Sequence, residues 1–173
     1  MSKLFFILNG LTRGYPTIII FATILFSIIQ LNKQNFVFGI CLALSDIINH
    51  ILKEYVAKPL MKNNKIPILG YGKRPSKTAI SSMFSPDIPS DSYGMPSGHA
   101  QIASVFSTYW IFKTYEDEKI KEIYKILISI FLIFLVILVM YSRVYWMKCH
   151  TMQQVIVGGI IGFIIGFGLY KYL

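Results

Sequence analysis

The sequence predicts an all-α fold: a polytopic membrane bundle of about five transmembrane helices, forming one domain over residues 1–173. Hydrophobic residues make up 54% of the chain and charged residues only 14%. The mean hydropathy is +0.57, and the apolar residues fall in long runs. A soluble domain of this size leaves much of its surface in water and has no place for so many apolar side chains. We therefore expect lipid to solvate most of them.

Five apolar runs are long enough to cross a bilayer, which takes roughly 20 helical residues. They cover residues 16–31, 36–56, 97–114, 123–145 and 152–170. Before them, Met1–Gly14 is expected to form a short amphipathic helix at the membrane interface. In the last run, Gly158, Gly162 and Gly166 recur every four residues. This stripe predicts close packing against another helix of the same chain, rather than a dimer face.

The net charge of +9 does not indicate a nucleic-acid partner. The basic residues lie between the apolar runs instead of forming a continuous patch, which is typical of loops that flank membrane spans. Both sides of the predicted bundle carry lysine, so the charges do not set its orientation.

Prolines concentrate between the second and third runs. Residues 58–96 contain six of the seven prolines and are far longer than a simple helix connection, and long ordered loops are usually functional. If the second span runs toward one side of the membrane, called side A, the loop lies on that side and the later spans alternate from it. Side A then collects four span ends, near Lys53, Ser97, Arg143 and His150.

The loop ends in a motif that suits an anion. Directly before an apolar helix stands the run Gly94-Met95-Pro96-Ser97-Gly98-His99. Ser97 is a predicted N-cap, and the free N–H groups of the first helical turn point at any anion that lies there. Gly98 lets this backbone come close to the anion, and His99 adds an imidazole that titrates near neutral pH.

Arginine is rare in a chain that otherwise uses lysine, since it occurs only as Arg13, Arg74 and Arg143. Arg74 and Arg143 stand in the loop and at a span end, where a planar, bidentate cation usually serves phosphate. Arg13 is interpreted as an interfacial anchor.

A short connection joins Arg143 to His150, and Gln154 lies four residues later on the same helical face. A nucleophilic histidine needs one ring nitrogen hydrogen-bonded, so that the other is unprotonated and aimed at its target. His150 and Gln154 have the spacing for this arrangement.

On the second span, Asp46, His50 and Lys53 share one helical stripe. Ionisable groups inside a membrane helix face a cavity or a partner rather than lipid. Lys53 is expected to reach a phosphate on side A, whereas Asp46 and His50 are expected to make interhelical hydrogen bonds.

These parts, in order, resemble the three-part signature of the type 2 phosphatidic acid phosphatase superfamily: Lys53, Arg74-Pro75, Pro96-Ser97-Gly98-His99, and Ser142-Arg143 with His150. The resemblance covers roughly residues 50–160. It implies a helical bundle in which His150 attacks phosphorus, His99 protonates the leaving oxygen and Gln154 orients His150. It further implies that no metal or other cofactor is needed and that the phosphoryl oxygens are held by Lys53, Arg74, Ser97, Gly98 and Arg143.

The sequence departs from the family pattern at three points. Lys53 and Arg74 are 21 positions apart, much farther than in the family, so Lys58 and Lys73 are alternatives for the first position. The connection from Arg143 to His150 is one residue longer than usual. Gln154 stands where the family has aspartate, and an amide stabilises imidazolium less than a carboxylate does. We therefore expect Gln154→Asp to raise turnover.

Gln154 also indicates a branch of the family. His150-Thr151, Gln154-Val155 and the run Tyr93-Gly94-Met95-Pro96-Ser97 are similar to dolichyldiphosphatases, although Gly98 replaces the serine of that branch. The resemblance implies a lipid phosphate substrate, specifically a polyprenyl diphosphate, and a site on the lumenal or extracellular side.

Two other functions remain open. A lipid phosphoryl transferase would use the same residues with a second lipid or alcohol as acceptor. A non-catalytic protein that binds anionic head groups would need only the cations, so His99 and His150 disfavour it. No cluster with metal-ligand spacing occurs, and Asp87 and Asp91 are interpreted as turn residues.

Overall fold

A computed structural model describes residues 3–62, 64–75 and 93–173 of the chain. The helices in these residues are α1 Lys3–Ile29, α2 Lys33–Ile51, α3 Lys58–Met61, α4 Gly98–Glu116, α5 Glu122–Tyr141 and α6 Met152–Tyr172. Single π-helical segments follow α2 and α5, at Leu52–Ala57 and Ser142–Trp146, and β1 Lys65–Ile66 pairs antiparallel with β2 Gly70–Tyr71. Residues 76–92 of the predicted loop, with Asp87 and Asp91, lie outside the described residues.

Four helical stretches of the described chain are long and apolar enough to cross a membrane: Phe5–Ile29, Lys33–Met61, Glu122–Trp146 and Met152–Tyr172. The remaining predicted span, α4, is less apolar because it lies at the centre of the bundle. It contacts α1, α2, α5 and α6, and both apolar and polar side chains along it are buried. A helix enclosed by other helices meets little lipid, so it tolerates serine, threonine and glutamine. The predicted bundle of about five helices is confirmed.

The N-terminal segment differs from the prediction. Met1–Gly14 was expected to form a separate interfacial helix, but α1 is continuous from Lys3 to Ile29 and passes through Pro16. Proline removes one backbone donor, which leaves the carbonyl of Thr12 without its usual N–H partner. Membrane helices tolerate this loss where neighbouring groups compensate for it. The segment is therefore part of the first span.

The second span also extends beyond its predicted end. The helix was expected to stop before Pro59, yet it continues through the π-helical segment and α3 to Met61. Pro59 lies in the first turn of α3, inside this continuous helix, where the loss of its N–H is tolerated as at Pro16. Lys62, with a φ of 44°, then turns the chain toward the antiparallel pair of β1 and β2, which we call the hairpin.

The glycine stripe of α6 packs against α4 of the same chain, as predicted. A Cβ at Gly158, Gly162 or Gly166 would collide with the backbone carbonyl of Ser97, Gln101 or Val105, respectively. Both sets advance by four residues in the same direction, so α4 and α6 run parallel. Their N-termini therefore lie side by side, and this brings Ser97 next to the start of α6.

A buried polar network fixes α2 against α4 about one turn after Ser97. Gln101 donates from Nε2 to the backbone oxygen and the hydroxyl of Ser45, at 2.7 and 2.9 Å, and accepts from Asn49 Nδ2 at 2.8 Å. All three side chains are almost completely buried, so each hydrogen bond is costly to break. Farther down, Phe38 of α2 stacks on Tyr109 of α4 with ring centroids 3.8 Å apart. The network and the stack hold the two helices in a fixed register.

Candidate active site

A polar cavity of about 300 Å³ opens where the helix ends of side A meet. Six of the residues predicted for the site line it: Lys53, Arg74, Gly98, His99, Arg143 and His150. Ser97 and Gln154 lie directly behind this wall and contact each other, since Ser97 N–H donates to the Gln154 carbonyl at 3.0 Å. Side A thus brings the separate motifs together, as the threading of the spans predicts.

The N-terminus of α4 forms one wall of the cavity. Ser97 has the extended backbone of an N-cap, is fully buried, and its Oγ has no hydrogen-bond partner among the described residues. Gly98 packs closely, because a Cβ there would lie 3.0 Å from Asn49 Oδ1. Buried polar atoms are nearly always paired, so an unpaired hydroxyl at a helix N-terminus indicates an anion-binding position.

Arg143 approaches from the π-helical segment after α5. Its side chain is 3% exposed, and Nη1 lies 2.8 Å from Met147 Sδ, while Nε has no partner among the described residues. None of the ion pairs formed within the described chain includes Arg143. A buried cation without a counter-charge is costly unless a ligand supplies one. Its backbone oxygen also accepts the N–H groups of Cys149 and His150, at 3.1 and 3.3 Å, which fixes the connection between arginine and histidine.

His150 is held in one tautomer. Its Nδ1 lies 3.0 Å from Gln154 Oε1, and because an amide oxygen only accepts, Nδ1 carries the proton. Nε2 is then unprotonated and accepts from Arg74 Nη1 at 3.1 Å. Burial lowers the pKa of His150 well below its ordinary value, and the positive charges of Arg74, Arg143 and Lys53 lower it further. The ring is therefore neutral at neutral pH, with a lone pair toward the cavity.

Gln154 connects this histidine to the hairpin. Thr151 caps α6 in a capping box with Gln154, whose Oε1 also accepts the Thr151 N–H at 3.3 Å. On the other end of the amide, Nε2 donates to the carbonyls of Tyr71 and Lys73, at 2.9 and 2.8 Å. Lys73 directly precedes Arg74, so one fully buried amide orients His150 and anchors the segment that carries Arg74.

His99 is oriented by a helix that the motifs do not include. Its Nε2 lies 2.9 Å from the backbone oxygen of Arg13 on α1. Arg13, interpreted from the sequence as an interfacial anchor, instead stands inside the first span, half-buried beside the site. The reason is that α1 continues past the predicted boundary and so passes the cavity at this level.

The positions of the three candidate lysines distinguish Lys53 from Lys58 and Lys73. Lys53 lines the cavity, whereas Lys58 is exposed and pairs with Glu54 at 2.7 Å. Lys73 is also exposed, in an isolated bridge to Tyr93.

The expectation for Asp46 and His50 was wrong. Both line the cavity, and neither side chain makes a hydrogen bond to the described part of the chain, because the α2 stripe faces the polar cavity rather than a neighbouring helix. The sequence analysis also did not assign Glu54 and Tyr93 to the cavity wall, which both of them line. Glu54 directly follows Lys53 and Tyr93 directly precedes Gly94, and these neighbours were the signal that could have found them.

No group of three or more histidine, cysteine, aspartate or glutamate side chains in the described residues is arranged to hold a metal ion. The absence of a metal from the reaction stays a prediction.

Comparisons with known proteins identify relatives of the chain. The sequence profile of the PAP2 superfamily matches residues 34–173. The dolichyldiphosphatase of Saccharomyces cerevisiae is 34% identical over 102 residues, covering 58% of this chain and 42% of the relative. Dolichyldiphosphatase 1 of Homo sapiens is 30% identical over 156 residues, covering 86% of this chain and 53% of the relative. The chain therefore spans about half the length of the curated relatives it matches.

The fold has a solved counterpart as well. The crystal structure of a transmembrane PAP2 type phosphatidylglycerolphosphate phosphatase from Bacillus subtilis superposes with a TM-score of 0.67 at 16% identity. The match covers 99% of this chain and 77% of that one, so the chain shares the fold of an integral membrane protein. With the profile matching most of the chain and the signature residues gathered at one cavity, the protein belongs to the PAP2 superfamily.

Proposed function

We propose that this protein is a membrane phosphatase that hydrolyses a lipid phosphate or diphosphate through a phosphohistidine at His150. The observation that carries the proposal is one polar cavity lined by Arg143 and by His150, whose Nε2 is unprotonated. Arg143 Nε and, behind the wall, Ser97 Oγ are buried donors with no hydrogen-bond partner among the described residues. Donors without acceptors suit an anion, and a neutral imidazole beside them suits attack on that anion.

The reaction proceeds in two displacements. His150 Nε2 attacks phosphorus, the bond from phosphorus to the leaving oxygen breaks, and His99 gives that oxygen a proton. The neutral His99 then takes a proton from water, whose oxygen attacks phosphorus and breaks the bond to Nε2. Inorganic phosphate leaves, and both histidines return to their initial states. Throughout, the developing negative charge is held by Lys53, Arg74, Arg143, Ser97 Oγ and the backbone at Gly98.

The substrate class follows from the surroundings of the site and from the relatives. The cavity lies among helices apolar enough to cross a membrane, so a substrate with its own hydrocarbon chain reaches the site from the bilayer. The curated relatives are named dolichyldiphosphatases, and Gln154 belongs to the pattern by which this sequence resembles that branch. These features favour a polyprenyl diphosphate, with the cavity opening to the lumenal or extracellular side.

Phosphate release from purified protein in detergent tests the proposal. The panel contains a polyprenyl diphosphate, phosphatidic acid and phosphatidylglycerol phosphate, each with excess chelator, and Arg143→Ala serves as the inactive control. We expect phosphate release without added metal, fastest from the diphosphate. Phosphate appearing on an added alcohol instead of in solution would identify a transferase. Binding of the lipids without turnover would overturn the enzymatic proposal.

A further inference from the structure

The first helix lies outside the part of the chain that the family profile matches. The profile begins at residue 34, whereas α1 ends at Ile29. Nevertheless, the backbone oxygen of Arg13 accepts a hydrogen bond from His99 Nε2 at 2.9 Å. A carbonyl has no proton to give, so Nε2 carries the hydrogen and Nδ1 is the nitrogen left for the cavity.

Two features fix α1 at this level of the bundle. Phe5 packs edge-on against Trp146, with ring centroids 5.3 Å apart, and Trp146 ends the π-helical segment that carries Arg143. Thr12, next to Arg13, is 3% exposed, so α1 is packed against its neighbours at this level. The carbonyl of Arg13 therefore has a defined place relative to the rest of the site.

Pro16 stands three residues after Arg13 and removes the N–H partner of the neighbouring Thr12 carbonyl. A carbonyl oxygen has two lone pairs, so Arg13 is able to accept from the helix and from His99 together.

We propose that α1 is a positioning element for catalysis, in which the Arg13 carbonyl fixes His99 so that Nδ1 is the atom that exchanges protons with the substrate. The inference rests on the proposed function. In the first displacement the imidazolium carries hydrogen on both nitrogens, and the Nδ1 proton moves to the leaving oxygen as its bond to phosphorus breaks. In the second displacement Nδ1 takes the proton of the attacking water. The hydrogen on Nε2 stays on His99 and is donated to the Arg13 carbonyl through both steps.

This arrangement makes the two histidines opposite in tautomer. His150 is protonated on Nδ1, toward Gln154, and presents Nε2 to phosphorus. His99 is protonated on Nε2, toward Arg13, and presents Nδ1 to the oxygen. Each ring thus donates its N–H to a fixed acceptor outside the cavity, and the other nitrogen, which in His150 accepts from Arg74 Nη1, is unprotonated.

A proline at position 17 tests the contact without changing a residue of the cavity. The proline ring would collide with the carbonyl four residues earlier, which is that of Arg13, and displace it from His99. We expect Thr17→Pro to lower kcat on an alkyl phosphate by roughly 10²-fold or more, because general acid catalysis contributes about 10²–10⁴-fold. On nitrophenyl phosphate, whose leaving group needs no proton, we expect less than about a tenfold loss. Thr17 is exposed, so Thr17→Ala is the matched control and should retain parental rates.

A double-mutant cycle separates positioning from general damage. If Arg13 acts through His99, then Thr17→Pro adds no further loss in a His99→Ala background. Additive losses, or equal losses on the alkyl and aryl phosphates, would overturn the inference.

The tautomer itself gives a readout that does not depend on activity or on the folding of a variant. Nitrogen-15 NMR of labelled histidine in the parent protein, assigned by comparison with His99→Ala, should find neutral His99 protonated on Nε2. Protonation on Nδ1 would overturn the inference even if the protein hydrolyses lipid phosphates. A protein that releases no phosphate but has the expected tautomer would instead contradict the proposed function alone.

Discussion

Single residues in this site each serve two neighbours. Gln154 accepts from His150 and donates to the backbone before Arg74, and Arg143 supplies both a side-chain cation and the carbonyl that holds His150 N–H. In the proposed mechanism, these shared supports keep the nucleophile His150 and the phosphate-binding cations Arg74 and Arg143 in register with each other. Changes at these supports should therefore affect chemistry more than binding.

The proposed role of Gln154 needs both the oxygen and the NH₂ group of its side-chain amide. A carboxylate at this position would still accept from His150, but its second oxygen would face the carbonyls of Tyr71 and Lys73. Leaving such buried acceptors unpaired costs roughly 1–3 kcal/mol each. We expect Gln154→Glu to lower kcat by at least about tenfold, and Gln154→Asp to lower rather than raise turnover. The exposed neighbour gives the control, since Gln153→Glu should leave kcat unchanged; a gain in kcat for Gln154→Glu would contradict this role.

The pH dependence should show His150 as an abnormally weak base. The reaction needs neutral His150, and activity declines as pH falls through the pKa of that ring. Because burial and nearby cations lower this pKa, the acid limb of kcat/KM should lie well below the ordinary histidine value of 6.5. Nitrophenyl phosphate is the substrate to use, with correction for its own ionisation. An acid limb at or above 6.5 would show that His150 is not desolvated as described.

Lys53 and Lys58 provide a direct comparison of two lysines one helical turn apart. Lys53 lines the cavity, and loss of one donor to a developing oxyanion typically costs about 10²–10³-fold in rate. Lys58 is exposed and paired with Glu54, so its loss should leave turnover near the parental value. We expect Lys53→Ala to be severely impaired and Lys58→Ala to be active in the phosphate-release assay. The reverse ranking would move the first motif into the loop.

Site residues were predictable from the sequence where their residue type has one common function in such a position. Histidines, arginines and the serine before a helix were sufficient to find His99, His150, Arg74, Arg143 and Ser97. The second role of Gln154 was not predictable, because its partners are backbone carbonyls of a hairpin far away in sequence. The contact between His99 and Arg13 was missed for the same reason, since a backbone acceptor leaves no mark in the residue pattern.

At the scale of elements, the contact between α4 and α6 is the one that aligns the site. These helices pack backbone to backbone along the glycine stripe, and this contact sets the N-terminus of α4 beside that of α6. The stripe was visible in the sequence, and so was its use within one chain. The boundary at Pro16 was misjudged, because proline ends most helices in water but is tolerated inside a membrane span.

The glycine contact gives a prediction on stability. A methyl group at Gly162 would collide with the Gln101 backbone and lie 2.7 Å from Ser104 Cβ, so the helices must move apart. Overpacking of this kind typically costs about 1–3 kcal/mol. We expect Gly162→Ala to lower the Tm in detergent, whereas Gly168→Ala, where a methyl group meets nothing within 4 Å, should not. Equal Tm values for the two variants would mean that the helices are not packed this closely.

At the scale of the whole molecule, the alternation of spans accounts for the site. Residues from α2, the hairpin segment, α4 and the connection before α6 are distant in sequence, yet the order of the helices places all of them on side A. The hairpin itself was not predictable, because β1 and β2 have only two residues each and too little pattern to be recognised.

Trapping of a phosphoenzyme tests the central claim most directly. Purified protein is mixed with a phosphorus-labelled substrate, quenched rapidly in alkali, where phosphohistidine survives, and digested for mass spectrometry. We predict label on the peptide that contains His150 in the parent protein. With an aryl phosphate, whose leaving group needs no proton, we predict more label in His99→Ala, because only the attack of water is then slowed. His150→Ala should carry no label with any substrate. A labelled His150→Ala protein, or full turnover in that variant, would contradict the assignment of His150 as the nucleophile.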